Sequence, residues 1–258
     1  MQNLTKATSQ DRFSRNNHRM TARTVGVLYL AGMVVGIGGN ILIQSILTAP
    51  DPVSAIAANA TLLAVGAVLW LLTVVGDAAH GVLMFPVLRP HSERMAFGYL
   101  SARLVDAIFI AVMILLILVQ IPVGIEYLNA GPADTSYLQA LSAVLTHANL
   151  YAYEIGMSAV GVAGLILNSM FYRSRLVPRA LAVWGIVGYA VLLAGSVLQV
   201  LGLQLNSLHA IPGGLWEVGT GVWLIVKGFN TPAAPAEPTT SSAPLLSNST
   251  LVGSSTSA

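Results

Sequence analysis

Residues 97–121 are apolar enough to sit in a bilayer, yet they carry Arg103 and Asp106 one helical turn apart. An ionised side chain near the centre of a membrane helix costs about 2.5–3.5 kcal/mol on insertion scales, so it faces a partner or a wet cavity rather than lipid. That stretch narrows the fold to helices closed around a charged interior. A second apolar run, residues 55–88, carries Asp77 as its one acidic residue and offers the matching partner.

Composition points the same way. Charged residues make up 9% of the 258-residue chain, against about 25% in an ordinary soluble domain. Mean hydropathy is +0.74. There is no cysteine, which excludes disulfides, thiolate metal sites and cysteine nucleophiles. The first apolar run, residues 24–47, is longer than the roughly 7–15 residues of a signal h-region and suits a retained span.

The expected fold is all-α: a polytopic membrane bundle of six transmembrane helices with both termini cytoplasmic. Residues 1–22 form a mobile basic arm with Lys6, Arg12, Arg15 and Arg19, attracted to an anionic leaflet. Residues 23–229 form the six-helix domain. Residues 230–258, rich in Pro, Ser and Thr, form a disordered cytoplasmic tail.

The six spans read as residues 24–47, 55–88, 94–121, 136–172, 178–203 and 210–226. In the first, Gly32 and Gly36 form a small-xxx-small pair that invites close helix packing. Pro86 and Pro90 close the second, and Pro122 and Gly124 end the third, leaving residues 123–135 as an acidic loop. The fourth carries a stripe at helical spacing: His147, Tyr151, Glu154, Ser158 and Gly161.

The basic residues set the expected orientation. Arg89, Arg94, Arg173, Arg175, Arg179 and Lys227 fall on the side of the N-terminus, while the opposite loops hold Asp51, Glu126, Asp134 and His209 but no Lys or Arg. Lysine and arginine beside spans mark the cytoplasmic face, here that of the cell's inner (cytoplasmic) membrane.

Two constellations could carry chemistry. A rise of about 1.5 Å per residue puts Asp77, Arg103 and Asp106 at similar depth, and helices joined by a short loop pack together. An Asp77–Arg103 pair is expected, with Asp106 sharing the arginine and His80 nearby. It is either a clamp fixing helix register or an ion- or proton-coupling site. The second constellation is Glu154 and Glu217, placed toward the outer face with Tyr151 and Asn40. Neither carboxyl has an evident basic partner. They read as proton-exchanging groups, as the polar end of a ligand pocket, or as carboxyls that hydrogen-bond neighbouring hydroxyls and do nothing more.

Histidine is the only residue type here suited to haem or a transition metal, but no His-x-x-x-His or His-Glu-x-x-His pair exists, so neither a metal nor another cofactor is expected. No Walker-type loop or Gly-x-Ser-x-Gly is present. The expected neighbours are membrane lipid and a small-molecule ligand, with no nucleic-acid partner.

Tyr172-Arg173-Ser174, Val177-Pro178-Arg179, Leu181, Trp184-Gly185 and Gly188-Tyr189 form a distinctive run, as do Trp216-Glu217, Gly221, Trp223-Leu224 and Lys227-Gly228-Phe229. With Gly76-Asp77 and the region of Tyr151, they resemble a prokaryotic integral-membrane family catalogued only as a domain of unknown function, the domain of unknown function 4386 family. The resemblance spans about residues 20–230. It implies a multispanning protein from a bacterium or archaeon and no particular activity. The residues leave three roles: a small-molecule or ion transporter or ligand-binding protein, a non-catalytic membrane partner, or a lipid-modifying enzyme using Glu154, His147 or His209.

Overall fold

A computed structural model describes residues 2–203, 205 and 208–230. Its helices are α1 (Gln2–Leu47), α2 (Pro52–Ala58), α3 (Ala60–Leu88), α4 (Glu93–Asn129), α5 (Pro132–Ser174), α6 (Arg179–Val200) and α7 (Ile211–Val226), with a 3-10 turn at Leu208–Ala210 before α7. No strand occurs among the described residues. Five helices, α1, α3, α4, α5 and α6, are long and apolar enough to cross a membrane. α7 has 16 residues, about 24 Å of rise against roughly 30 Å of hydrocarbon. Val34, Val75, Ile108, Leu115 and Val187 are among many large apolar side chains exposed on the outer surface. Water would not tolerate so much contiguous apolar area, and a bilayer does.

Several boundaries differ from those the sequence suggests. No Pro or Gly interrupts residues 1–25, and α1 runs unbroken through the basic segment from Gln2. The second apolar run is split at Asn59, whose backbone N–H and side-chain amide both bond to Ala55 O, at 3.0 and 2.9 Å. The short α2 is started by Asp51, which accepts hydrogen bonds from the Ser54 hydroxyl at 2.5 Å and the Ser54 N–H at 3.3 Å. Those bonds hold its carboxyl below the usual carboxylate range.

Pro86 and Pro122 lie inside helices rather than ending them. Gly124 does not stop α4 either. A Cβ there would lie 3.0 Å from Ala57 N and Val53 O, so the glycine seats α2 against α4. The α4–α5 connection is only Ala130 and Gly131, not a loop over residues 123–135. The two helices run together as one extended hairpin up to that connection. Gln120 Oε1 there accepts from Ser142 Oγ at 3.1 Å and Thr146 Oγ1 at 3.3 Å.

The long helices form a ring. Each packs on its neighbour in sequence, and α7 returns to α1. One core gathers around Tyr99, Leu167, Phe171 and Trp216. The other gathers around Ile43, Ile56, Leu63, Ile110 and Ile117 at the opposite end. α1 tilts between two partners. At one end a Cβ on Gly26 would lie 2.6 Å from Gly221 O of α7; at the other a Cβ on Gly39 would lie 3.0 Å from Gly66 O of α3. Gly32 and Gly36 are not the close contact expected of them. A Cβ on Gly32 meets nothing within 4 Å, and one on Gly36 meets only Thr73 Oγ1 at 3.8 Å, because the helices part there around a cavity.

Past α7, Phe229 packs near Phe171. Asn230 donates from its N–H to Leu176 O at 2.8 Å and from its side chain to Arg175 O at 2.9 Å. The expected tail therefore begins anchored at Asn230; residues 231–258 lie outside the described residues.

Replacing Gly26 or Gly221 by valine should destabilise the fold by about 1–3 kcal/mol through overpacking of α1 on α7. Gly32→Ala should leave it within about 0.5 kcal/mol. Thermal unfolding of the purified protein in detergent measures both.

Candidate functional site

Arg103 is the centre of the site. Four residues, 89–92, join α3 to α4, which makes the two helices antiparallel neighbours. The buried guanidinium reaches Asp77 of α3 through Nη2 and lies 3.4 Å from Asp106 Oδ2 through Nη1. The two carboxyls differ in setting. Asp106 has a side-chain exposure of 1%, whereas Asp77 has 25%. Asp106 Oδ2 has no hydrogen-bond partner despite the ion pair. His80 is buried in the same region, where its Nδ1 lies 2.5 Å from Tyr99 Oη and its ring meets Tyr29 edge-on at 4.5 Å.

Beside this cluster is a cavity of about 440 Å³ between α1, α3, α4, α5 and α7. Asp77, His80, Arg103 and Asp106 line it, together with Asn40, Trp70, Tyr153 and Glu217. Glu217 comes from α7, and Tyr189 of α6 donates a hydrogen bond to its Oε1 at 2.8 Å. Trp70, Thr73, Asp77 and His80, one face of α3 at helical spacing, all lie in the wall.

The expected grouping of Glu154 with Glu217 is corrected. Glu217 and Asn40 share the cavity with the arginine cluster, while Glu154 and Tyr151 are not in its wall. α5 contributes Tyr153, Met157 and Val160 instead. Successive residues of a helix are about 100° apart, so the stripe of Tyr151, Glu154, Ser158 and Gly161 is turned away from the cavity. Part of it faces α6, for a Cβ on Gly161 would lie 2.8 Å from Leu193 Cβ. Tyr151 is 45% exposed.

Glu154 has partners of its own. It is buried, accepts a hydrogen bond from Gln199 Nε2 of α6, and lies 3.6 Å from His209 Nε2 in the turn before α7. A basic-type partner therefore exists where none was expected. Ser196 Oγ lies 3.4 Å from the same Nε2. A serine nucleophile relay needs the hydroxyl on one ring nitrogen and the carboxylate on the other; here both address Nε2 and Nδ1 has no partner. The cluster fastens α5, α6 and the turn together without forming that relay. His147 is exposed, with Nδ1 2.9 Å from Ala143 O.

The sequence puts Tyr99 on one face with Arg103 and Asp106, but sequence reasoning misses Tyr29, Tyr153 and Gln199 and gives Tyr189 no role. Within apolar runs a tyrosine reads as one more large apolar residue, and only the ring of helices brings Tyr189 to Glu217 and Tyr29 and Tyr153 to the cavity. Among the described residues, no group of three His, Cys, Asp or Glu is placed to hold a metal ion.

Residues 24–228 match the family described as Domain of unknown function (DUF4386). No curated protein and no solved structure is significantly similar to the chain.

Asp77→Asn and Arg103→Gln should each lower stability, and the double variant should be less destabilised than the sum of the two. The coupling should fall at about 0.5–3 kcal/mol. A double-mutant cycle of thermal unfolding reads it; independent effects would show that the two side chains do not act as a pair.

Proposed function

The chain belongs to this family, and we propose that it is a multi-pass membrane protein that binds, and carries, a small molecule in the cavity between α1, α3, α4, α5 and α7. One observation carries the reading: the cavity wall holds three carboxyls and one guanidinium. A volume of about 440 Å³ lies within the range of roughly 300–1,000 Å³ for small-molecule sites. A clamp for helix register needs Arg103 and its two aspartates, and they serve as one. It needs neither Glu217 nor open space beside it. Intramembrane carboxyls facing a cavity are what substrate and ion pathways use.

The same proposal takes α7 as a sixth crossing, with both termini on the cytoplasmic side of the cell membrane. Support comes from the arginines. Arg89 and Arg94, at the α3–α4 connection, and Arg173, Arg175 and Arg179, at the α5–α6 connection, fall at one end of the ring, and Lys227 joins them after α7. The hydrogen bonds of Asn230 to the α5–α6 loop tie that end together. An excess of Lys and Arg in short loops marks the cytoplasmic face.

The natural absence of cysteine makes topology directly measurable. A membrane-impermeant thiol reagent applied from outside should label Gly131→Cys in intact cells and leave His91→Cys unlabelled until the membrane is opened. The reverse pattern would invert the orientation.

Protein purified in detergent should release a defined small molecule, seen by mass spectrometry. Gly32→Phe should lose it while remaining folded, because a side chain there points into open space. Release of bulk lipid alone from the wild type would remove the binding reading.

A further inference from the structure

The cavity also indicates what kind of molecule it takes, on the condition that it is a binding site as proposed above. We propose that its occupant is an amphiphilic organic cation, a protonated amine with an apolar body. The head would sit among Asp77, Asp106 and Glu217, and the body along Ile37, Trp70 and Ile110.

Charge is the first argument. Among the described residues, Arg103 is the only Lys or Arg in the wall, facing three carboxyls. It reaches Asp77 and Asp106, and Glu217 has a neutral phenol as its hydrogen-bond donor. The wall therefore has more anionic capacity than its own cation answers. The second argument is independent of the count. Asp106 is 1% exposed and lines the cavity, and its Oδ2 accepts no hydrogen bond. A buried carboxylate oxygen without a donor is a costly arrangement unless something supplies one.

The shape adds the apolar body. On α1 the wall runs from Leu28 to Ile41, about 20 Å of helix rise. Its charged groups are gathered at one end, and Asn40 lies toward the other. Along α3, Asp77 and His80 lie at that end and Trp70 lies about 10 Å away. Along α4, Arg103 and Asp106 come first and Ile110 follows; along α7, Glu217 is at the charged end and Ile211 at the other. Tyr29 flanks the charged end, while Trp70 and Tyr153 meet edge to face at 6.0 Å along the body. Aromatic faces favour a cation and an apolar chain alike.

Access fits an amphiphile too. α1 leans on α7 at Gly26 and on α3 at Gly39, so α1 and α7 diverge toward the apolar end. Ile37, Ile41 and Ile211, wall residues at that end, are 55%, 61% and 52% exposed. The cavity thus opens sideways between the two helices, toward the surrounding lipid.

The test uses the full chain in zwitterionic-lipid nanodiscs with three probes of one chain length: hexylammonium, hexyl sulfate and hexanol. Saturable quenching of tryptophan fluorescence and the thermal midpoint are read for wild type and for Gly32→Phe, which corrects for partition into lipid. The ammonium alone should bind the wild type. Glu217→Gln and Asp106→Asn should each weaken it at least tenfold while circular dichroism shows the helices intact; two variants guard against one failing to fold. Equal or tighter binding of hexyl sulfate or hexanol would overturn the cation assignment and leave the binding reading standing. Ammonium binding untouched by both carboxyl variants would overturn the placement of the head. No saturable binding of any probe to folded wild type, together with bulk lipid as the sole co-purifying material, would overturn both.

Discussion

A guanidinium in an apolar bundle does not give up its proton, so every helix near Arg103 must be arranged around a permanent charge. Asp106 answers it from the same helix, one turn away, and does so whatever the neighbours do. Asp77 is the answer that constrains the fold. It sits on α3, and a register slip of one residue would swing it by about 100° away from the arginine. Removing one member of a buried charge pair costs about 3–5 kcal/mol because the other is left uncompensated. The register of the α3–α4 hairpin is therefore held, and α1, α2 and α5 pack against it.

The cavity follows from how α1 meets that hairpin. α1 does not touch both α3 and α7 along its whole length. It touches α7 closely where Gly26 faces Gly221 and α3 closely where Gly39 faces Gly66. Between those points the helices part, and the space left is lined by Asp77 and Trp70 on one side and Glu217 on the other. Small residues on membrane helices are commonly signs of close packing. Gly32 and Gly36 show the other use of a missing side chain, which is to leave room.

What could be read from the sequence was what local geometry controls. Asp77 and Arg103 lie on consecutive helices joined by a short loop, so rise per residue is enough to match their depths. The arginine-bearing ends of the helices are likewise visible in the chain alone. Rotation about each helix axis is different in kind. The polar stripe on α5 is a correct periodicity, yet nothing in it tells whether Glu154 turns toward the cavity or toward α6. Glu217 meets the arginine cluster only because α7 closes the ring on α1, a contact between opposite ends of the chain. Pro122 and Gly124 are ordinary stop signals that tertiary contact overrules, since the glycine is the seat of α2 and the helix goes on to Asn129. Asn59 ends α2 by bonding to Ala55, a break that apolar composition conceals.

Glu154 and Glu217 show how two chemically identical groups are given different work by their surroundings. Glu154 is sealed at 1% exposure, with an amide and an imidazole at its oxygens. Its Oε1 takes the amide while Oε2 accepts no hydrogen bond, and the carboxyl links α5, α6 and the turn outside the cavity wall. Glu217 is only half-buried. Tyr189 orients it with one hydrogen bond, and the cavity lies in front of it. An oriented carboxyl with open space before it has the preorganisation that binding needs, because little ordering remains when a partner arrives. The difference comes from α7, which is too short to reach across a full bilayer thickness as a straight helix and starts from a 3-10 turn instead. That turn places His209 against Glu154, and the helix that follows carries Glu217 to the cavity. A single short element thus closes one carboxyl site and opens the other.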